Sequence, residues 1–145
     1  MQNRSVPPDV MLAHLNYPDV AQAAEWLVRV FGFEENYRYG DPEAASGAQL
    51  HHGAAWVMLS SPRHGRATPA ELGGWTTMLT VFVDDVDTHY QASREAGATI
   101  TEELNETMYG ERQYVATDFA GHSWLFSTHA RDVDPAGWAT VASNP

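Results

Sequence analysis

The chain has 145 residues, enough for one compact domain, and 8 Lys+Arg against 19 Asp+Glu leave a formal net charge of −11 with histidines neutral. Scattered basic residues in so acidic a chain exclude binding to a phosphate backbone or an anionic membrane surface, and the charge favours cationic small molecules as ligands. A composition 43% hydrophobic and 11% aromatic can fill an ordinary core, while the absence of cysteine removes disulfides, thiolate catalysis and thiolate metal sites together. The opening segment MQNRSVPPDV holds no apolar core of a secretory leader, and no run reaches the roughly 18 apolar residues of a membrane span, so the expected compartment is the cytoplasm.

In chain order, Met11 to Tyr17 reads as a strand that runs through Pro18 into Asp19, an N-cap residue with Gln22 at its third helical position. Apolar residues at Val20, Ala23, Ala24, Leu27, Val30 and Phe31 follow helical spacing, and Gly32 supplies the stop. Three turn-punctuated, period-two segments come next: Glu35 to Tyr39, Ala48 to His52 and Ala55 to Ser60. Pro, Gly and small polar residues then make a linker or lid over 62–74. Beyond it Thr76 to Val83 reads as a strand, Asp85 as an N-cap, Val86 to Ala96 as a helix with a weaker apolar stripe, and Gly97 as its stop. Strands at Thr99 to Leu104, Arg112 to Thr117 and Ser123 to Ser127 complete the series. The order β-α-β-β-β therefore occurs twice, which is an internal repeat. A single domain is expected, with module one at about 9–61, module two at about 75–129 and a C-terminal arm over 130–145.

Several segments resemble one known family: His14-Leu-Asn-Tyr-Pro-Asp-Val20 leading into Trp26-Leu-Val-Arg-Val-Phe-Gly-Phe33, Leu50-His-His-Gly53 followed by Val57-Met-Leu59, and Tyr109-Gly-Glu-Arg-Gln-Tyr114 followed by Asp118-Phe-Ala-Gly-His-Ser-Trp124. They are similar to the vicinal oxygen chelate superfamily of glyoxalase I, extradiol dioxygenases, fosfomycin-resistance enzymes and bleomycin-resistance binding proteins, and most of all to its bleomycin-resistance and PhnB-like branch, over about Val10 to His129. The resemblance implies an α+β fold of two βαβββ modules forming a cupped, curved mixed sheet, with helices on the outside and a ligand cavity inside. Strand alternation then assigns faces. Met11, Ala13, Leu15 and Tyr17 belong under the first helix and Leu12, His14 and Asn16 toward the cavity; Thr77, Leu79, Val81 and Val83 belong under the second helix and Thr76, Met78, Thr80 and Phe82 toward the cavity. The closing strands present Trp56, Met58 and Ser60, and Ser123, Leu125 and Ser127.

Metal-dependent relatives place a His or Glu at one cavity position in each of four strands, and those positions here are Leu12, Met58, Met78 and Leu125. None is a ligand for a hard metal, so neither a metal nor another cofactor is expected. His51 and His52 are adjacent in a strand and point to opposite faces, which leaves His14 the best polar candidate in the cavity. His122 belongs on the helix-packing face, and His64, His89 and His129 at the surface. No Gly-x-Ser-x-Gly elbow and no phosphate-binding glycine loop is present, and the carboxylate pairs Glu34-Glu35, Asp84-Asp85 and Glu102-Glu103 read as solvated charges or caps, so no catalytic residue is assigned.

The expected ligand contacts are Trp56 and Phe82 as stacking rings, Met58, Met78, Leu12 and Leu125 as a soft wall, His14, Asn16 and Thr80 as polar contacts, and Arg112 reaching either a ligand carboxylate or a surface acid. Trp75 can cap the cavity mouth, Trp26 packs on its helix, and Trp138 can anchor the arm on a partner. Two function classes follow. One is a metal-independent binding protein, possessing no turnover, that sequesters an aromatic or cationic antibiotic-like compound. The other is a glyoxalase-like lyase, isomerase or dioxygenase-type enzyme acting on a small metabolite. A homodimer is expected in either case, because an uncovered sheet lined with Trp, Met and Leu exposes a large apolar patch.

Overall fold

The computed structural model describes residues 11–63 and 65–140. Its first module runs β1 (Ala13–Asn16), α1 (Val20–Phe31), β2 (Glu34–Asp41), β3 (Ala44–His52) and β4 (Ala55–Ser60). After a short helix α2 (Pro69–Leu72), the second runs β5 (Met78–Phe82), α3 (Val86–Glu95), β6 (Thr99–Glu106), β7 (Glu111–Thr117) and β8 (Ser123–His129). Each module forms a four-stranded mixed sheet, in the orders β1-β4-β3-β2 and β5-β8-β7-β6. In both, the first strand pairs in parallel with the last and the other pairings are antiparallel. A parallel pairing needs a crossover, and α1 and α3 provide it. The fold is α+β, two βαβββ modules, as the repeat implies.

Local chemistry explains the helix ends. The Asp19 carboxylate accepts the Gln22 amide at 3.0 Å to open α1, and Asp85 accepts the Thr88 amide at 3.0 Å to open α3. Gly32 closes α1 at φ 73°, a left-handed backbone that favours glycine. The buried face of α1 is the apolar set read from its spacing; α3 buries only Val86, Tyr90 and Ser93. Hydrogen bonds to α1 make up for this thin stripe: Ser93 Oγ donates to the Val30 carbonyl at 3.1 Å, and an Arg29 guanidinium N–H donates to the Ala96 carbonyl at 3.2 Å.

The helix-bearing sides of the two sheets share one core. Phe31 at the end of α1 lies 5.8 Å from Trp124 and 4.8 Å from Phe126, both on β8, and Phe33 lies 5.4 Å from Trp124. Each such buried ring contributes roughly 2–3 kcal/mol. A polar pin closes the module boundary, where the Tyr17 hydroxyl donates to the buried Asp118 carboxylate at 2.6 Å.

Three details differ from the pattern-based reading. β1 begins at Ala13, and Met11, expected beneath α1, is 80% exposed. Within 62–74 lies α2, opened by a capping box in which the Thr68 amide donates to Glu71 Oε2 at 2.7 Å and the Glu71 amide to Thr68 Oγ1 at 3.3 Å. The Ala70 amide donates to the Ala120 carbonyl at 3.0 Å, which fastens this helix to the β7–β8 turn. His89, expected at the surface, is instead packed between the modules, 2.8 Å from both the Tyr114 hydroxyl and the Phe31 carbonyl and 4.2 Å from the Phe126 ring. Trp138 packs on Tyr109 of its own chain at 5.6 Å and is 43% exposed, which leaves part of its ring free for the expected partner contact. His64, read as a surface residue, lies outside the described residues.

Candidate functional site

β1 and β5 are the edge strands of their sheets and run beside one another across the module boundary without pairing. Two clefts open along this seam, and both are lined by Ala13 and Leu79. The first, about 320 Å³, is walled by His14, Leu15 and Asn16 of β1, by Thr76 and Thr77, and by His122 to Trp124, and is roofed by Pro69, Leu72 and Trp75. The second, about 350 Å³, lies between Met11, Ala55, Trp56 and Val57 on one side and Leu79, Thr80 and Val81 on the other. Neither lining includes an Asp or Glu.

Backbone pairing explains how these walls are held. The Tyr17 amide donates to the Ser60 carbonyl at 3.0 Å, extending the β1–β4 pairing, and the Tyr17 ring packs 4.8 Å from His122. His122 Nε2 lies 2.8 Å from the Asn16 carbonyl; since a carbonyl only accepts, Nε2 carries the proton and donates. The two modules are thereby tied together at the inner end of the first cleft. Two polar groups on the seam lack partners: Asn16 Oδ1 and Trp56 Nε1 are buried with no hydrogen bond among the described residues. Trp56 is stacked at 4.6 Å on His51, whose Nδ1 is likewise buried without a partner. An unpartnered buried polar atom costs about 1–3 kcal/mol, and these atoms, closed off from solvent, mark a cost of the fold at the seam.

The ten residues expected to contact a ligand do not form one wall. His14 and Asn16 line the first cleft, and Trp56 and Thr80 the second. Met58 and Leu125 sit in the middle of their sheets, both buried and outside either cleft; Leu12 is half-buried ahead of β1 and also lines neither. Met78 and Phe82 lie on the helix-free side of β5, where Phe82 is 67% exposed. Arg112 takes the surface-acid alternative of its expectation and lines neither cleft. Its guanidinium forks the Asp87 carboxylate with two bonds of 2.7 Å, on the side of the sheet that carries α3, because Asp87 lies in the first turn of that helix. Pro69 and Leu72, not singled out from the sequence, complete the first cleft together with Thr77, which was expected under the second helix. The readable signal for Pro69 and Leu72 was the Thr68-Pro-Ala-Glu71 capping box, which places a short helix within the segment read as a linker or lid.

The donor set does not fit the divalent metal that the family resemblance raises. The four equivalent positions hold two leucines and two methionines, and among the described residues no three His, Asp or Glu side chains come together. No step is therefore derived through a metal. The perturbed titrations lie away from the clefts. Burial lowers the pKa of His89 and of His52, and burial pushes Tyr114 up to about 12. Burial, followed by the Asp118 charge, raises Tyr17 well above the usual phenol range. Bonds to Glu111 and Asp132 raise exposed His129.

Two repeated βαβββ modules, with the edge strands β1 and β5 flanking a cleft-bearing seam, define the class of paired-module α+β proteins. Within that class, the sequence profile of the Glyoxalase/Bleomycin resistance protein/Dioxygenase superfamily matches residues 10–126, and the chain belongs to this family. It is similar to TioX from Micromonospora sp. ML1, with 35% identity and a TM-score of 0.71 over 83% of this chain and 98% of that one. It is also 32% identical over 127 residues to the uncharacterized protein Rv0887c of Mycobacterium tuberculosis (strain ATCC 25618 / H37Rv), covering 83% of this chain and 75% of the relative. The fosfomycin resistance protein FosX of Listeria monocytogenes shares the fold, with a TM-score of 0.61 at 13% identity over 85% of this chain and 94% of that one.

Proposed function

We propose that the protein binds a small planar aromatic molecule along the β1–β5 seam and sequesters it without a metal. The carrying observation is the pair of adjoining, mainly apolar clefts along the seam, each with a tryptophan ring in its wall or roof. Trp75 at the roof of one cleft and Trp56 in the wall of the other offer rings for stacking. The absence of any carboxylate from either lining argues for the aromatic rather than the cationic half of the sequence-based expectation. Sequestration is favoured over turnover because, among the described residues, no nucleophile is hydrogen-bonded to a base in the clefts. The exposed apolar group Leu72, Trp75, Met78 and Phe82 supports assembly as a homodimer that covers the helix-free side of β5.

Titration of a panel of planar aromatic compounds against intrinsic tryptophan fluorescence tests this reading. Trp75→Ala and Trp56→Phe are expected to weaken the best binder by about 1–3 kcal/mol, roughly 5- to 150-fold in Kd. Turnover of any panel compound that is lost in His14→Ala with binding intact would replace sequestration by catalysis.

A further inference from the structure

On the helix-free side of the first sheet, next to the first cleft, lies a further concavity of about 250 Å³ lined by His14, Tyr39, Ser60, Ser61, Arg63 and Arg66. His14 lines both spaces, so they adjoin. The lining consists of two guanidiniums, three hydroxyls and an imidazole, with no carboxylate.

The arginines are unusual within this chain. Acids outnumber Lys and Arg by 19 to 8, and the other described guanidiniums are engaged: Arg38 with Glu35, Arg112 with Asp87, Arg131 with Glu106, Arg29 with the Ala96 carbonyl and Arg94 with the Tyr90 hydroxyl. Arg63 and Arg66 alone have no side-chain hydrogen bond or ion pair among the described residues, even though acids are abundant. A turn closed by the Arg66 amide on the Arg63 carbonyl at 3.1 Å sets both at the rim of the same concavity. Across it, the Tyr39 ring is folded over β3 at Gly47, where a Cβ atom would come within 2.3 Å of the ring. Gly47 has no positive φ, so it is the space above the strand that requires glycine there. The absent side chain leaves room for the phenol beside the two serines.

Planar guanidiniums and hydroxyls converging without a carboxylate match the oxygens of an oxyanion, to which Arg binds through paired N–H bonds. We infer that this basin is a subsite for an oxyanion of carboxylate or phosphate type, carried by the molecule whose aromatic body occupies the adjoining cleft. The inference rests on the aromatic-binding reading and narrows it: the ligand is an aromatic acid or aryl phosphate, despite the acidity of the chain as a whole.

Wild type, Arg63→Ala/Arg66→Ala and Trp75→Ala are titrated by fluorescence with phenyl phosphate, benzoate, benzyl alcohol and benzyltrimethylammonium, and separately with inorganic phosphate by amide chemical shifts. Phenyl phosphate or benzoate is expected to bind wild type more tightly than the alcohol or the ammonium compound. The double arginine variant should lose at least tenfold for the anions and stay within twofold for the alcohol, with an unchanged circular dichroism spectrum. Equal affinity for the alcohol, tighter binding of the ammonium compound, or anion binding unchanged in the double variant would overturn the subsite. If no aromatic probe binds, the cleft reading fails, and inorganic phosphate decides the basin by itself: shifts at Ser60, Ser61 and Arg66 that vanish in the double variant uphold it, and their absence from wild type overturns it.

Discussion

Removing the Asp118 carboxylate should loosen the join between the modules more than any other single polar change at the seam. Its Oδ2 accepts the Tyr17 hydroxyl at 2.6 Å and the Trp124 indole N–H at 3.1 Å, and its Oδ1 accepts the amides of Ala120 and His122 at 3.0 Å each. Tyr17 and Trp124 are both 0% exposed, so water cannot replace the lost acceptor. At about 1–3 kcal/mol for each stranded side-chain donor, Asp118→Ala should cost about 2–6 kcal/mol. The bonds come from neutral donors, so the variant is also relieved of burying a carboxylate, which moves the expectation toward the lower end. A domain with roughly 5–15 kcal/mol in all would remain folded or fall close to its midpoint. Asp118→Asn keeps an oxygen for the two amides and turns an NH2 toward Trp124, so it should lie between the alanine variant and wild type. Tyr17→Phe removes one of the donors, and in that background Asp118→Ala should cost less by about 1–3 kcal/mol. Urea unfolding followed by circular dichroism measures each corner of this cycle. A cost below about 1 kcal/mol for both Asp118 variants, or no coupling to Tyr17, would refute the assignment of Asp118 as the pin between the modules.

Burial holds the folded pKa of His89 and His52 below the 6.5 of a free imidazole, so the unfolded chain binds more protons between the two values. Stability is therefore present above pH 6.5 and lost as pH falls through it; exposed His129, raised, works weakly in the opposite direction. Thermal melts at about pH 7.5 and about pH 5.5 should show a lower Tm at the acid end, with a smaller drop in His52→Asn/His89→Asn. Thr68→Ala removes the capping box and should cost about 1 kcal/mol or less while loosening the roof of the first cleft, measured by hydrogen exchange of the α2 amides. At Gly110, with φ at 92°, a Cβ would lie 2.0 Å from the Arg131 carbonyl oxygen, so Gly110→Ala should lower Tm by several degrees or more. Sedimentation at micromolar concentration is expected to show a dimer in wild type and monomer in Phe82→Glu/Trp75→Glu; a wild-type monomer would remove the homodimer from the proposal.

Much of the fold was legible because period and punctuation agreed. Asp19 and Gly32 bracket the stripe of α1, and alternation in Ala55 to Ser60 sets β4 with no error at either end. α2 was hidden by its composition, since Pro69, Gly73 and Gly74 read as a loop although the Thr68–Glu71 capping box lies among them. His89 was misplaced because α3 has a weak apolar stripe, and the partners that draw the imidazole inward, Phe31 and Tyr114, are remote in sequence. Alternation correctly separated the two sides of β1, β4, β5 and β8. It carried no information on how the two sheets meet, so residues with shared parity, such as Trp56 and Met58, were grouped as one wall although only Trp56 reaches a cleft. Arg112 shows the same limit: Asp87 lies in another element, and only the folded chain brings them together.

On the proposed function, the seam between β1 and β5 holds an aromatic molecule. Nuclear Overhauser contacts from a bound planar probe to the methyl groups of Ala13, Leu15 and Leu79 test it most directly, because Leu15 lines the first cleft and the other two line both. Contacts to these methyls, weakened in Trp75→Ala, are the predicted result; a probe that binds yet contacts only residues away from the seam, such as Asp87 and Gln91 on α3, would contradict it.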